Sequence, residues 1–342
     1  RKALAQGFLK KSMVDVDMGA VQRHVAATIA RVRARESADT LREAGVELVF
    51  GRARFVSPHT LAISESGGEE RRIHGQRFII AVGAGPKRPI GIKGLLETPH
   101  DTYRSIFGRR SLPASLVVIG SGPVGCELAQ AYARLGSKVT MIGPAPLSRE
   151  SLDVQAVVAE VLAADGVQLV TPAYATAVAP KTDGGVQVSV ANGTTYDAES
   201  LVLAAGRTAA IADLGLDVAG VAWDEDGVKV DTRLRSVSAR HVYAAGDCVS
   251  ENARQNSRYA HHAGWQGFQA VRNALLPFFL RGDALTLVPR VTYMDPEIGI
   301  VGLSKENCET RFGPGGYHAV RVPNNFLDRN NGELDDVGFV EL

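Results

Sequence analysis

The segment Leu116–Gly143, LVVIGSGPVGCELAQAYARLGSKVTMIG, constrains this chain more than any other. Leu116 to Ile119 is an apolar, β-branched run suited to a strand buried on both faces. Gly120, Gly122 and Gly125 follow in G-x-G-x-x-G spacing. In such a unit the first glycine permits a tight turn and the second lets backbone approach a pyrophosphate. The third lets a helix pack closely on its strand. Pro123 suits a first helical turn, and Val124, Leu128, Tyr132 and Leu135 recur on one helical face. Gly136 is placed to end the helix, and Lys138 to Ile142 reads as the next strand. A helix N-terminus offers free N–H groups and a positive dipole end to phosphate. The alternative is an ordinary glycine-rich turn. Strand, helix and strand in one run favour a dinucleotide over that alternative.

Three further segments share one pattern, an apolar strand running into small residues and a glycine. They are Phe78–Ala84 around Gly83, Leu201–Arg207 around Gly206, and His241–Asp247 around Gly246. Each is expected to be a buried parallel strand ending where backbone comes close to something. Three of them around one dinucleotide unit point to more than one nucleotide-binding sheet.

Elsewhere, Val21, Val25, Ile29 and Val32 mark an amphipathic helix, and a second helix ends near Gly45. Val46 to Phe50 reads as a strand, and Arg54–Ile63 with Arg71–Ile80 as a small antiparallel meander. Asp224 to Gly227 reads as a turn. A helix carrying Gln266, Ala270 and Leu275 follows the third glycine strand. Beyond Leu285, Val291–Tyr293, Ile298–Leu303 and His318–Val322 read as strands of a separate antiparallel layer.

The chain has 342 residues, 45% apolar and 22% charged, with a net charge of +1, which gives no argument for nucleic acid or a membrane surface. No apolar run approaches the ~20 residues of a membrane span. Cys126, Cys248 and Cys308 are the three cysteines, and none are closely paired. That excludes a disulfide scaffold and a cysteine-rich zinc site and fits a reducing compartment.

IGSGPVGCELAQAYARLGSKVT (119–140), VLAAGRT (202–208), VYAAGDC (242–248) and TYMDPEIGIVGLS (292–304) stand in an order that resembles the FAD-dependent pyridine nucleotide–disulfide oxidoreductases. Mercuric reductase and dihydrolipoamide dehydrogenase are the similar members. The resemblance implies an α/β architecture of two Rossmann-like domains, one for FAD and one for NAD(P), plus a partial α+β dimerisation domain. Expected boundaries are 1–102 and 236–284 for a discontinuous FAD domain, 103–235 for the NAD(P) domain and 285–342 for the dimerisation domain. The implied reaction is hydride transfer from NAD(P)H to FAD, and in the intact homodimer onward to a small-molecule disulfide or Hg(II). A flavin reductase without a redox disulfide and a non-catalytic nucleotide-binding remnant are the alternatives.

Residue by residue, the resemblance implies that Gly120, Gly122, Pro123, Val124, Gly125 and Gly143 address NAD(P)H. It implies that Gly83, Gly206, Gly246 and Asp247 lie along the cofactors, with Asp247 accepting hydrogen bonds from the FAD ribitol. His262 and Ala263 would open a helix whose N–H groups face the flavin pyrimidine, with backbone rather than imidazole at work. Glu127 matches a glutamate near the flavin N5 edge. Arg207 is expected to brace the NAD(P) domain.

There are departures. The acid expected about 20 residues past the glycines, on the ribose 2′-hydroxyl, is absent, since residue 143 is glycine. Arg149 lies nearby, so the expectation leans slightly to NADPH, and Gly143→Glu is expected to weaken NADPH relative to NADH. No C-x-x-x-x-C pair occurs, Val82 replaces a usual threonine, and no second G-x-G-x-x-G is found. The family's C-terminal His/Glu pair is also missing. The sequence opens on Arg1, has its first methionine at Met13, and stops within Gly338–Leu342, which reads as a strand. The expectation is a piece of a longer protein, with localisation not legible.

Overall fold

The structure, a computed structural model, describes residues 16–34, 36–65, 67–250, 258–283, 288–328, 330 and 337–342. Its residues form two compact units, one of 1–40 with 90–204, the other of 41–89 with 205–342.

The first unit is built on a four-stranded parallel sheet ordered Ser200–Leu203, Ser115–Ile119, Lys138–Ile142, Gln168–Val170. Leu116 to Ile119 and Leu201 to Leu203 are buried throughout, as apolar runs covered on both faces must be. Helices Pro123–Leu135 and Leu152–Ala164 make the crossovers. The first ends on Gly136 at φ 115°, whose N–H returns to the Tyr132 and Ala133 carbonyls. The second is capped by the Ser151 hydroxyl, which accepts from Val154 N–H. An antiparallel sheet of Thr195–Ala198, Val186–Val190 and Ala175–Pro180 leads back to the last parallel strand. Helix Met18–Ala34 belongs to this unit, where Gln22 Nε2 donates to the Gly108 carbonyl.

In the second unit Arg52–Ser57, Thr60–Ser64 and Glu70–His74 form the antiparallel meander. Phe78–Ile80 leaves it to pair in parallel with Val242–Ala244. The latter strand is buried on both sides. Val242 and Ala244 join a core with Phe55, Phe78, Ile80 and Val228, while Tyr243 and Ala245 meet Ala270 and Ala274 of helix Ala260–Leu275. Short antiparallel pairs complete the unit: Ala84–Pro86 with Arg207–Ala209, Arg290–Thr292 with Ile298–Ile300, and Arg321–Pro323 with Phe339–Glu341.

Several expectations are corrected. Val46–Phe50 forms no strand, and Val46 and Phe50 are exposed. Ile79 is also exposed, so Phe78–Ile80 buries one face only. The expected helix runs Ala260–Leu275, with Leu275 exposed and His262, Gln266, Gln269 and Asn273 among its buried residues. The Asn273 amide earns that place by bonding the Arg233 and Gly282 backbone. Strands at Ile298–Ile300 and Arg321–Pro323 are shorter than the patterns Ile298–Leu303 and His318–Val322.

The units divide at 89/90 and 204/205 rather than at 102/103 and 235/236. Pairing explains the shift. Lys93 bridges to Ala177, and Asp101 bridges to Val202, exchanging hydrogen bonds with Leu201 and Leu203 at 2.8 Å, so 90–102 belongs with the parallel sheet. Arg207–Ala209 pairs with Ala84–Pro86, and Ile211, Leu216 and Val221 fill the Phe55 core. Residues 285–342 group with the second unit instead of standing alone.

Candidate functional site

In the first unit the three glycines of the turn have three different surroundings. Gly120 has φ 114° and its N–H bonds the Ile142 carbonyl at 2.8 Å, so the strand turns sharply while still tied to its neighbour. Gly122 begins helix Pro123–Leu135 with no side-chain cap, and a Cβ there would meet nothing within 4 Å. Gly125 is the reverse: a Cβ would fall on the Gly120 carbonyl oxygen and lie 3.6 Å from Ala204 Cβ. Pro123 is exposed and Val124 half-buried over the first turn. Open space over uncapped N–H groups is what an anionic pyrophosphate requires, so the cradle fits a dinucleotide.

The loop after Lys138–Ile142 is tied to this turn by Ser121. Its hydroxyl donates to the Pro144 carbonyl at 2.8 Å, with the Ala145 carbonyl at 3.3 Å, and its own carbonyl accepts from Leu147 N–H at 2.8 Å. Gly143 is buried beneath Ser121, and Arg149 is exposed farther along the loop. Cys126 is wholly buried and donates to the Ser121 carbonyl at 3.3 Å. Burial pushes its thiol up to about 12, against the lowering effect of the Leu147 backbone and with a further rise from the Glu127 charge. Glu127 itself is half-buried on the same helix.

In the second unit, Gly246 has φ 78° at the end of strand Val242–Ala244, and Asp247 sits on the short turn Gly246–Cys248. The Asp247 carboxylate is 13% exposed, and its Oδ2 lies 2.6 Å from Arg207 Nη1. Arg207 also donates to the Arg258 carbonyl, and Arg258 donates to that of Arg207. The buried Gln266 side chain accepts from Gly246 N–H at 2.8 Å, and a Cβ on Gly246 would stand 3.2 Å from Ala263 Cβ. Helix Ala260–Leu275 is thereby seated on the bend, and its N-cap residue Tyr259 makes no side-chain capping bond. A fixed carboxylate beside a helix N-terminus fits a ligand with hydroxyls and a developing negative charge, as a flavin has.

His262 is buried, whereas His261 is exposed, stacks on Tyr259 and reaches the Pro289 carbonyl at 2.8 Å. Cys248 is wholly buried, donates to the Ala245 and Ile80 carbonyls, and has its thiol raised by burial.

Gly83 and Gly206 have φ 67° and 106° and lie in the second unit. Gly83 accepts from Ala210 N–H and Gly206 from Lys87 N–H, so both glycines flank the paired strands Ala84–Pro86 and Arg207–Ala209. Arg207, expected to brace the NAD(P) domain, groups with the second unit and is the ion-pair partner of Asp247. Pattern reading gave no role to Ser121, Gln266 or Arg258, since each acts through a partner distant in sequence. Among the described residues no cluster of histidine, cysteine and carboxylate side chains suits a metal, and no helix is long and apolar enough to cross a membrane.

A family profile described as pyridine nucleotide-disulphide oxidoreductase matches residues 5–267. Mercuric reductase of Shigella flexneri is 31% identical over 310 residues, covering 87% of this chain and 51% of that protein. The soluble pyridine nucleotide transhydrogenase of Vibrio parahaemolyticus is 29% identical over 299 residues, covering 86% and 62%. The chain spans about half the length of the mercuric reductases it matches. Among solved structures, the Cu(II) complex of the HOCl-induced flavoprotein disulfide reductase RclA from Escherichia coli has a TM-score of 0.83 at 25% identity, covering 96% of this chain and 72% of that one. LpdA from Mycobacterium tuberculosis also has a TM-score of 0.83, at 24% identity and with 99% and 73% covered.

Proposed function

The chain belongs to the pyridine nucleotide–disulphide oxidoreductases, whose members use FAD and NAD(P)H, and we propose that it forms the coenzyme site and the ribitol–pyrimidine end of the flavin site of such an enzyme. The open cradle at Gly122, beside a Gly125 that has no room for a side chain, carries this reading. The Gly122 turn and the first turn of helix Pro123–Leu135 would hold the coenzyme pyrophosphate by backbone N–H groups. Asp247, oriented by Arg207, would accept from ribitol hydroxyls, and the N-terminus of helix Ala260–Leu275 would favour negative charge at the pyrimidine end. A bound flavin supplies two-electron acceptance from the nicotinamide.

In the whole protein the electrons would pass on to a disulfide or to Hg(II), in a homodimer. That last step needs a reactive thiolate pair, and Cys126 and Cys248 do not supply one, because both are buried with raised thiols. The 342-residue chain is therefore expected to turn over neither lipoamide nor Hg(II), while binding NAD(P)H saturably at the Gly122 cradle.

Titration calorimetry of the chain with NADPH and NADH, with a visible spectrum and both acceptor assays, tests the reading. Absence of saturable binding of either coenzyme by the folded protein would overturn it. Tight stoichiometric flavin with rapid turnover of either acceptor would instead place the chemistry on Cys126 or Cys248.

A further inference from the structure

Residue 143 is where a dinucleotide fold commonly presents the acid that binds a ribose 2′-hydroxyl. Its glycine is not simply a missing acid. Gly143 is buried, and a Cβ built on it would stand 2.6 Å from Ser121 Oγ, 3.1 Å from Ser121 Cβ and 3.1 Å from Ser121 N. The first of these distances is far inside van der Waals contact, and two of the three arise from the serine side chain. That side chain has little freedom to retreat, because its hydroxyl is bonded to the Pro144 carbonyl at 2.8 Å. The loop it holds contains Leu147, buried at φ 49°, a left-handed conformation that a leucine keeps only when its surroundings enforce it. Leu147 N–H bonds the Ser121 carbonyl, so one residue fixes the loop through both side chain and backbone.

We infer that Ser121 is a positioning residue for coenzyme selectivity: by filling the space above residue 143 it keeps an acid from that position, and so removes the discrimination against a 2′-phosphate. The inference rests on the reading of this turn as the NAD(P)H site. It changes what Gly143→Glu does on its own. The carboxylate cannot be presented to the ribose until Ser121 gives way, so the single substitution damages the site before it alters preference.

The experiment is a cycle of Ser121→Gly, Gly143→Glu and the pair, with Gly143→Ala as a milder probe carrying the Cβ alone. Kd for NADH and NADPH and the thermal midpoint are measured on the full chain. Gly143→Glu alone should weaken both coenzymes by about tenfold, in line with the strain of overpacking a closed site. Adding Ser121→Gly should return NADH to within about threefold of wild type while NADPH stays about tenfold weaker, the non-additivity expected of touching residues. Gly143→Ala should lower the midpoint, and Ser121→Gly should restore part of it. A Gly143→Glu chain that prefers NADH and melts like wild type would overturn the role of Ser121, as would a midpoint loss that Ser121→Gly does not relieve. A wild-type chain that binds neither coenzyme would overturn the site itself, with the melting cycle still reporting on the packing.

Discussion

Each unit ends a buried strand on a left-handed glycine, Gly120 at φ 114° and Gly246 at φ 78°, yet the two bends present opposite groups. At Gly120 the polar groups on offer are backbone N–H donors: Gly122 opens onto space, and the helix begins without a side-chain cap. That is a surface for an anion. At Gly246 the bend's own N–H is already taken by Gln266, and what is presented is the Asp247 carboxylate, held by Arg207. That is an acceptor for hydroxyls. The same left-handed glycine thus presents donors or an acceptor according to which groups the surrounding structure has already satisfied.

The largest expected effect separates two glycines of the first bend. Gly125→Val puts branched carbon onto the Gly120 carbonyl and should cost about 3 kcal/mol in urea unfolding. Gly122→Ala has open space and an ordinary φ of −76°, so stability should change by less than about 0.5 kcal/mol. Coenzyme affinity in that variant should nonetheless fall by about tenfold as the methyl enters the cradle. Equal stability losses at both positions would erase the distinction between a packing glycine and a binding one.

A middling effect tests the second bend. Asp247 and Arg207 are partly buried, and a double-mutant cycle of Asp247→Asn and Arg207→Met should give a coupling of about 1 kcal/mol in unfolding. Flavin fluorescence titrations should show weaker FAD binding in both variants, with NADPH binding untouched. Loss of NADPH affinity with FAD unchanged would reverse the assignment of the two bends.

The smallest effect at neutral pH concerns the thiols that lie beside each bend. Cys126 and Cys248 should resist iodoacetamide in the native chain at pH 8, while the half-buried Cys308 reacts. The fold favours the neutral Cys126 thiol, raising it from 9.0 to about 12. The sign follows: its contribution is fully present below pH 9.0 and is lost as pH rises towards about 12, because the unfolded chain gives up the proton first. Replacement by alanine should flatten that alkaline decline in pH-dependent unfolding. Rapid native alkylation of Cys126 would mean that the first bend is open where the structure packs it shut.

Much of this was legible in the residues. Leu116 to Gly143 announces strand, turn, helix and strand because each step depends on neighbours in sequence: β-branched carbons for a covered strand, glycine for a positive φ, proline for a helical start. The three small-residue strands ending at Gly83, Gly206 and Gly246 were visible for the same reason. Val46–Phe50 misled because an apolar run becomes a strand only when its backbone pairs along a neighbour, and Val46 N–H instead turns back to the Leu41 carbonyl.

Sequence alone therefore determined which glycines turn the chain and which strands are apolar, since these depend on local conformation and side-chain chemistry. Tertiary structure decided where the units divide, that Arg207 belongs to Asp247, and that Ser121 governs residue 143. Those outcomes rest on contacts between residues from 22 positions apart, as Ser121 and Gly143 are, to more than 100 apart, as Asp101 and Val202 are, whose distances exist only after the sheets have formed and the surrounding space has closed.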